Sequence, residues 1–209
     1  MEKLFRNLNV VYLMKKILTL TGSIAPVFYF LLVTILGGLW TDYSPLRQHI
    51  SELGSSASPF SIILNLGFMI FALLTIIFSI CLKKEFEKNN SYIFLLIGGF
   101  FKFLTGIFPC DEKCINITFT AQLHTITTNS FSIFMPIAPI FLAPSLAKNK
   151  TYGKKWAYAS VSLGIVSIIS GILMHITLFS QCLGLLQRIK IGAPLLWMFI
   201  MSIKIYKKN

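Results

Sequence analysis

Acidic residues are scarce in this chain. Asp and Glu number seven in 209 residues, against 19 Lys and Arg, and charged residues make up only 12%. A soluble domain ordinarily carries about a quarter charged residues, so the deficit argues against one. Catalytic signatures are missing too. There is no HExxH or HxxxH pair to seat zinc on one helix face, and no strained elbow around a serine. The net charge of +12 falls in clusters without the interleaved aromatics of a nucleic-acid-binding stripe, so no nucleic-acid partner is expected. Repeats and low-complexity segments are absent. The first apolar run, Ile17–Trp40, is too long for a signal-peptide core, and no small-x-small cleavage site follows it.

What the chain has is apolar length. It is 55% hydrophobic, with a mean hydropathy of +0.74. Apolar runs at about 17–40, 60–82, 92–108, 125–147, 156–179 and 185–206 are separated by short polar segments. A bilayer crossing takes about 20 such residues, so the pattern predicts an all-α polytopic membrane protein with six transmembrane helices in an up-down bundle. Most of the basic residues fall in residues 1–16, in the second and fourth loops, and in the tail ending at Lys207 and Lys208. The positive-inside rule then sets both termini in the cytoplasm, with 1–16 and 207–209 as cytoplasmic segments.

One polar stretch interrupts this pattern, Ser44–Gly54. Ser44 can cap a helix opened by Pro45 and closed by Gly54, with Leu46, Ile50 and Leu53 as its apolar edge. That spacing predicts a short interfacial helix after the first span, its apolar edge toward the bundle. It brings Arg47, His49, Ser51 and Glu52 within six positions.

All three histidines fall at the outer boundary, His49 in the first outer loop, His124 at the start of the fourth span and His175 near the end of the fifth. Asp111 ends the third span and Arg188 begins the sixth. An up-down bundle brings those ends together. Ser160, Gly164, Ser167 and Gly171 form a small-residue stripe ahead of His175, which directs that histidine into the bundle. The same stripe serves packing within one chain or between two copies, so a homo-oligomer stays open. Lys102 lies about 15 Å in from Tyr92 at 1.5 Å per residue, near the midplane, with no acid in any span to pair with it. Cys110 and Cys114 lie on the outer side, where a disulfide persists, with Cys182 as a competing partner. Unbonded cysteines are the alternative.

Three activities fit these residues. The first is a lipid head group or small polar ligand bound by Arg47, His49, Ser51, Glu52, Asp111, His124, His175 and Arg188, with the arginines on phosphate and Lys102 as a further ligand-binding candidate. The second is a metal-dependent intramembrane lipid hydrolase holding zinc on His49, Asp111, His124 and His175. The third is a small transporter built around Lys102 and the proline-rich fourth run. A purely structural alternative pairs Arg47 or Arg188 with Glu52 or Asp111 in a network that locks the loops. No cofactor is expected outside the zinc alternative, and membrane lipids are the expected partners.

Arg47-Gln-His-Ile-Ser-Glu-Leu-Gly54 before an apolar span, Gly106-Ile-Phe-Pro-Cys-Asp111, His124, and Gly184-Leu-Leu-Gln-Arg188 before the last span resemble a known family. It is the six-span family of prokaryotic membrane proteins called domain of unknown function 998, and the resemblance covers about residues 17–206. It implies a multi-pass protein of the prokaryotic cytoplasmic membrane with no established activity. Ile50–Gly54 before a span is also similar to eukaryotic six-span autophagy modulators, over too short a stretch to carry function.

Overall fold

In the computed structural model the backbone of residues 2–208 and the side chains of residues 16–208 are described. Lys3, Arg6 and Lys15, part of the N-terminal basic cluster, have side chains outside the described residues. Among the described residues there are six α-helices: α1 (Glu2–Leu39), α2 (Ser61–Glu85), α3 (Ser91–Ile107), α4 (Phe119–Lys148), α5 (Gly153–Leu173) and α6 (Leu183–Lys208). Short 3-10 helices sit at Ile50–Gly54, Glu112–Cys114 and Thr177–Cys182, and there is no strand among the described residues. Five of the helices hold stretches long and apolar enough to cross a membrane; α3, with 17 residues, is the shorter one. Leu31, Ile62, Ile133 and Ile172 are each more than half exposed, as lipid-facing side chains are.

Each helix packs on its neighbours in sequence, and α6 returns against α1 to close the ring. Small residues set the closest approaches. A Cβ on Gly106 of α3 would stand 2.5 Å from the Asn65 carbonyl oxygen of α2, so only glycine lets these backbones meet. The small-residue stripe of α5 works within the chain. Gly164 lies against Ile140 and Pro136 of α4. Ser160 accepts from the indole Nε1 of Trp197 (2.9 Å), and Ser167 donates to the Lys190 carbonyl (2.6 Å). The centre of the ring is aromatic, with Tyr29 within 6 Å of both Phe68 and Phe71 and all three buried.

The two ends of the ring differ. One end gathers the three 3-10 helices, and the loops that carry the first two are joined by the bond from Ser56 N–H to the Cys110 carbonyl (3.4 Å). The other end ties Glu85 to the Lys208 ammonium (2.6 Å) and the Tyr152 hydroxyl (2.9 Å); the Glu85–Lys208 contact is the one ion pair among the described residues.

Three local expectations change. α4 begins at Phe119, six residues ahead of the expected start, because the Thr118 hydroxyl caps it by accepting from Ala121 N–H (3.2 Å). α5 stops at Leu173 instead of reaching residue 179. The Ser44–Gly54 segment is a turn followed by a five-residue 3-10 helix. All five residues of that helix are buried in the bundle end. Leu46, expected on the apolar edge, is half exposed. The physical reason lies in the carbonyls of this segment. Leu46 O accepts from Leu185 N–H (3.1 Å) and Pro45 O accepts from Arg188 (2.7 Å), so both are taken by α6 and are lost to a local helix.

Candidate functional site

The end that carries the 3-10 helices is built by one docking event, α6 onto the first inter-helix loop. Gly184 sits where a Cβ would collide with the carbonyl oxygens of Pro45 and Gln48. Leu185 donates its N–H to Leu46, and the Gln187 side-chain oxygen accepts from Ile50 N–H (2.6 Å). The Arg188 guanidinium reaches the carbonyls of Pro45 (2.7 Å), Gln48 (3.4 Å) and Gly184 (3.0 Å) and the Tyr43 hydroxyl (2.7 Å). A planar fork with five donors is suited to collecting several acceptors at once. The arginine is therefore a clamp on backbone, where an ion pair or a phosphate contact was expected. Arg47 is exposed and takes no part in it.

Glu52 is equally internal to this clamp. Its carboxylate accepts from His49 N–H (2.8 Å) and Gln48 Nε2 (3.0 Å), closing the start of the 3-10 helix. Asp111 accepts from the N–H groups of Ile117 (3.1 Å) and Thr118 (2.8 Å) and from the Thr118 hydroxyl (2.8 Å). These bonds, the Thr118 N–H foremost, hold its carboxyl below the ordinary carboxylate range. Asp111 thus ties off the loop into α4. The network of arginine–carboxylate pairs expected over the bundle is not formed among the described residues.

Beneath this cover lies a cavity of about 360 Å³ lined by all three histidines, together with Ser51, Gln187, Thr128, Asn129, Lys113 and Lys190. No Asp or Glu lines it, nor do Arg47, Arg188 or Lys102. His124 is 4% exposed. Its Nδ1 lies 2.7 Å from the Phe108 carbonyl oxygen, and its Nε2 is buried without a partner. His49 Nδ1 and the Thr128 hydroxyl are likewise buried and unpartnered. Burial pushes the His49 imidazole below its ordinary value, against a smaller opposing pull from Glu52. His175 is exposed at the mouth instead of pointing into the bundle, because α5 ends two residues before it and the stripe's register stops there.

A second concavity, about 470 Å³, continues from the first between α4 and α5. Asn129, His175 and Lys190 line both. Beyond them the walls are chiefly apolar, with Ile133, Ile137, Ile168 and Ile172. Lys190 and Thr128, central to this arrangement, escape a reading by charge pairing. Their signal was spacing: Lys190 follows the buried Gln187 by three residues and Thr128 follows His124 by four, each pair sharing a helix face.

Cys110 and Cys114 are joined by a disulfide, with Cα atoms 4.9 Å apart. Their sulfurs and a His124 nitrogen form the one group of three or more metal-ligating atoms lying within 4.8 Å of one another among the described residues. With the sulfurs bonded to each other, that group offers no thiolate. The set His49, Asp111, His124 and His175 is not drawn together to that distance, and Asp111 is occupied in its own loop. Lys102 lies apart from the cavities, its ammonium 3.2 Å from the Phe68 ring centroid and within 6 Å of those of Tyr29 and Phe131.

No curated protein and no solved structure matches the chain. The family described as protein of unknown function (DUF998) matches residues 23–204, and it is the family to which this chain belongs.

Proposed function

We propose that this is a six-span protein of a prokaryotic cytoplasmic membrane that binds an anionic lipid, without transforming it. The head group occupies the histidine-lined cavity, and an acyl chain lies in the groove between α4 and α5. The observation that carries this reading is the junction. Asn129, His175 and Lys190 belong to both spaces, so a carboxylate-free polar chamber with a cationic wall opens directly into a lipid-side apolar groove. An amphiphile has that order of chemistry along its length.

Topology supports the same placement. At about 1.5 Å per residue α3 extends about 25 Å, and it packs between α2 and α4, so it serves as a sixth crossing. Lys83, Lys84, Lys148, Lys207 and Lys208 end their helices at the face opposite the cavity. By the positive-inside rule that face is cytoplasmic, both termini are inside, and the cavity opens toward the outer leaflet.

The test is lipid retention by the purified full chain. Native mass spectrometry after mild detergent extraction should detect bound anionic phospholipid, and added anionic phospholipid should raise the melting temperature. Glycerol 3-phosphate at equal concentration should not, since it lacks the chain that fills the groove. Lys190→Met should abolish retention while leaving the fold intact. Equal retention of phosphatidylcholine and anionic lipids, or unchanged retention in Lys190→Met, would overturn the proposal.

A further inference from the structure

The Cys110–Cys114 disulfide is placed asymmetrically at the cavity. Cys110 is 2% exposed and is not a lining residue, whereas Cys114 is half-buried and lines the cavity. His124, also in the lining, has a ring nitrogen within 4.8 Å of both sulfurs. The bond therefore presents its Cys114 side to the chamber and keeps its Cys110 side behind it. Thiol–disulfide exchange uses that division, because the sulfur that is attacked must be reachable and the one that leaves need not be.

The loop itself favours opening. A cross-link of sequence separation four gains little chain entropy. Within it Lys113 and Cys114 hold left-handed backbone (φ 53° and 51°), which residues with side chains adopt at a cost. Cutting the bond lets both relax.

Charge supplies the rest. The attacking species in exchange is a thiolate. Lys113 and Lys190 line the cavity and no Asp or Glu does, so anions are drawn in and an entering thiol is favoured in its ionised form. The Cys110 sulfur lies 3.4 Å from the Ser51 carbonyl oxygen, an acceptor for the S–H that Cys110 carries once the bond is cut. A chamber of about 360 Å³ is of small-molecule size.

We propose that the protein has a further activity, thiol–disulfide exchange at Cys110–Cys114 with anionic low-molecular-weight thiols. A substrate thiolate attacks the Cys114 sulfur and forms a mixed disulfide with it. The Cys110–Cys114 bond breaks, and its electron pair leaves on Cys110, which takes up the proton the substrate lost. A second thiolate attacks the substrate sulfur of the mixed disulfide and expels Cys114, which takes up the second proton. Two substrate thiols become one disulfide, and both cysteines become thiols. The same steps in reverse, with a low-molecular-weight disulfide as oxidant, restore the bond. This activity goes beyond the lipid reading and does not depend on it.

The experiment uses the full chain in detergent with Cys182→Ser, which removes the other thiol at this end of the bundle. The protein is treated with mercaptoethanesulfonate or with cysteamine at equal thiolate concentration, quenched with acid and mapped by mass spectrometry. The first adduct should sit on Cys114, and the anionic reagent should react about 10-fold faster than the cationic one. Lys113→Gln should narrow that ratio several-fold. Catalytic amounts of protein should speed exchange between mercaptoacetate and the disulfide of mercaptoethanesulfonate, and Cys114→Ser should remove the effect. A first adduct on Cys110, equal rates with the two reagents, or exchange no faster than without protein would overturn the proposal.

Discussion

Gly184 at the start of α6 lies against the Gln48 carbonyl so closely that even a methyl group would overlap it, and Pro45 O stands only 2.5 Å from where that methyl would be. Both obstacles are backbone and are themselves engaged by Arg188, so neither can swing aside. Gly184→Ala should push the helix off the loop and strip the two arginine bonds to loop carbonyls, those of Pro45 and Gln48, together. Overpacking of this kind costs about 1–3 kcal/mol. A melting curve in detergent should fall clearly, whereas Gly38→Ala, where a Cβ meets nothing within 4 Å, should leave it unchanged.

The docking of Gly184–Arg188 on Ser44–Ile50 also shows what a sequence can and cannot yield here. Helix number, order and the meeting of three histidines follow from hydropathy and alternating direction, because successive antiparallel helices bring every second connection to the same end of the bundle. The roles of Arg188 and Glu52 do not follow. Opposite charges suggest pairing, yet a loop without helical bonds leaves carbonyls that compete for a guanidinium, and Arg188 goes to them. His175 was misdirected for a similar reason. The four-residue period of the α5 stripe holds only while the helix lasts, and it ends at Leu173.

His49 makes the end of the bundle sensitive to acid. Burial lowers its proton affinity most; Lys190 and Arg188 act in the same direction, while Glu52 acts against them. Its folded value lies below its unfolded value of 6.5, so the unfolded chain binds the proton more readily. The stability it contributes is complete above that unfolded value and is lost as pH falls toward the folded one. The melting temperature should be level from about pH 7 to 8 and decline on acidification below about 6.5. His49→Gln should flatten part of that decline; identical pH profiles would show that His49 is not the group responsible.

Lys102 gives a contrasting prediction. Its ammonium is buried against Phe68, Tyr29 and Phe131, and no carboxylate lies within ion-pairing distance among the described residues. Cation–π attraction of about 2 kcal/mol in a desolvated site falls short of the several kcal/mol needed to bury an ion. Lys102→Met should therefore hold or raise the melting temperature. Because Lys102 lines neither concavity, retention of anionic lipid should be unchanged. A marked drop in melting temperature would mean that the aromatic cage outweighs desolvation.

The Cys110–Cys114 disulfide should matter more for the cavity than for global stability. It closes a loop of sequence separation four, for which chain entropy gives only about 2 kcal/mol. Within that loop Lys113 and Cys114 both hold left-handed backbone (φ 53° and 51°), a conformation that costs side-chain-bearing residues about 1–2 kcal/mol each. Both residues line the cavity. Reduction frees them to relax, which withdraws the Lys113 charge from the chamber. Alkylation of the oxidised protein should label the half-buried Cys182 and spare Cys110 and Cys114, and all three should label after reduction. The Cys110→Ser, Cys114→Ser double variant should melt only a few degrees lower yet retain several-fold less anionic lipid. If retention fell no further than stability, the loop would be a structural tie without a hand in the site. A selective loss would place Lys113 beside Lys190 as the second cation of the chamber.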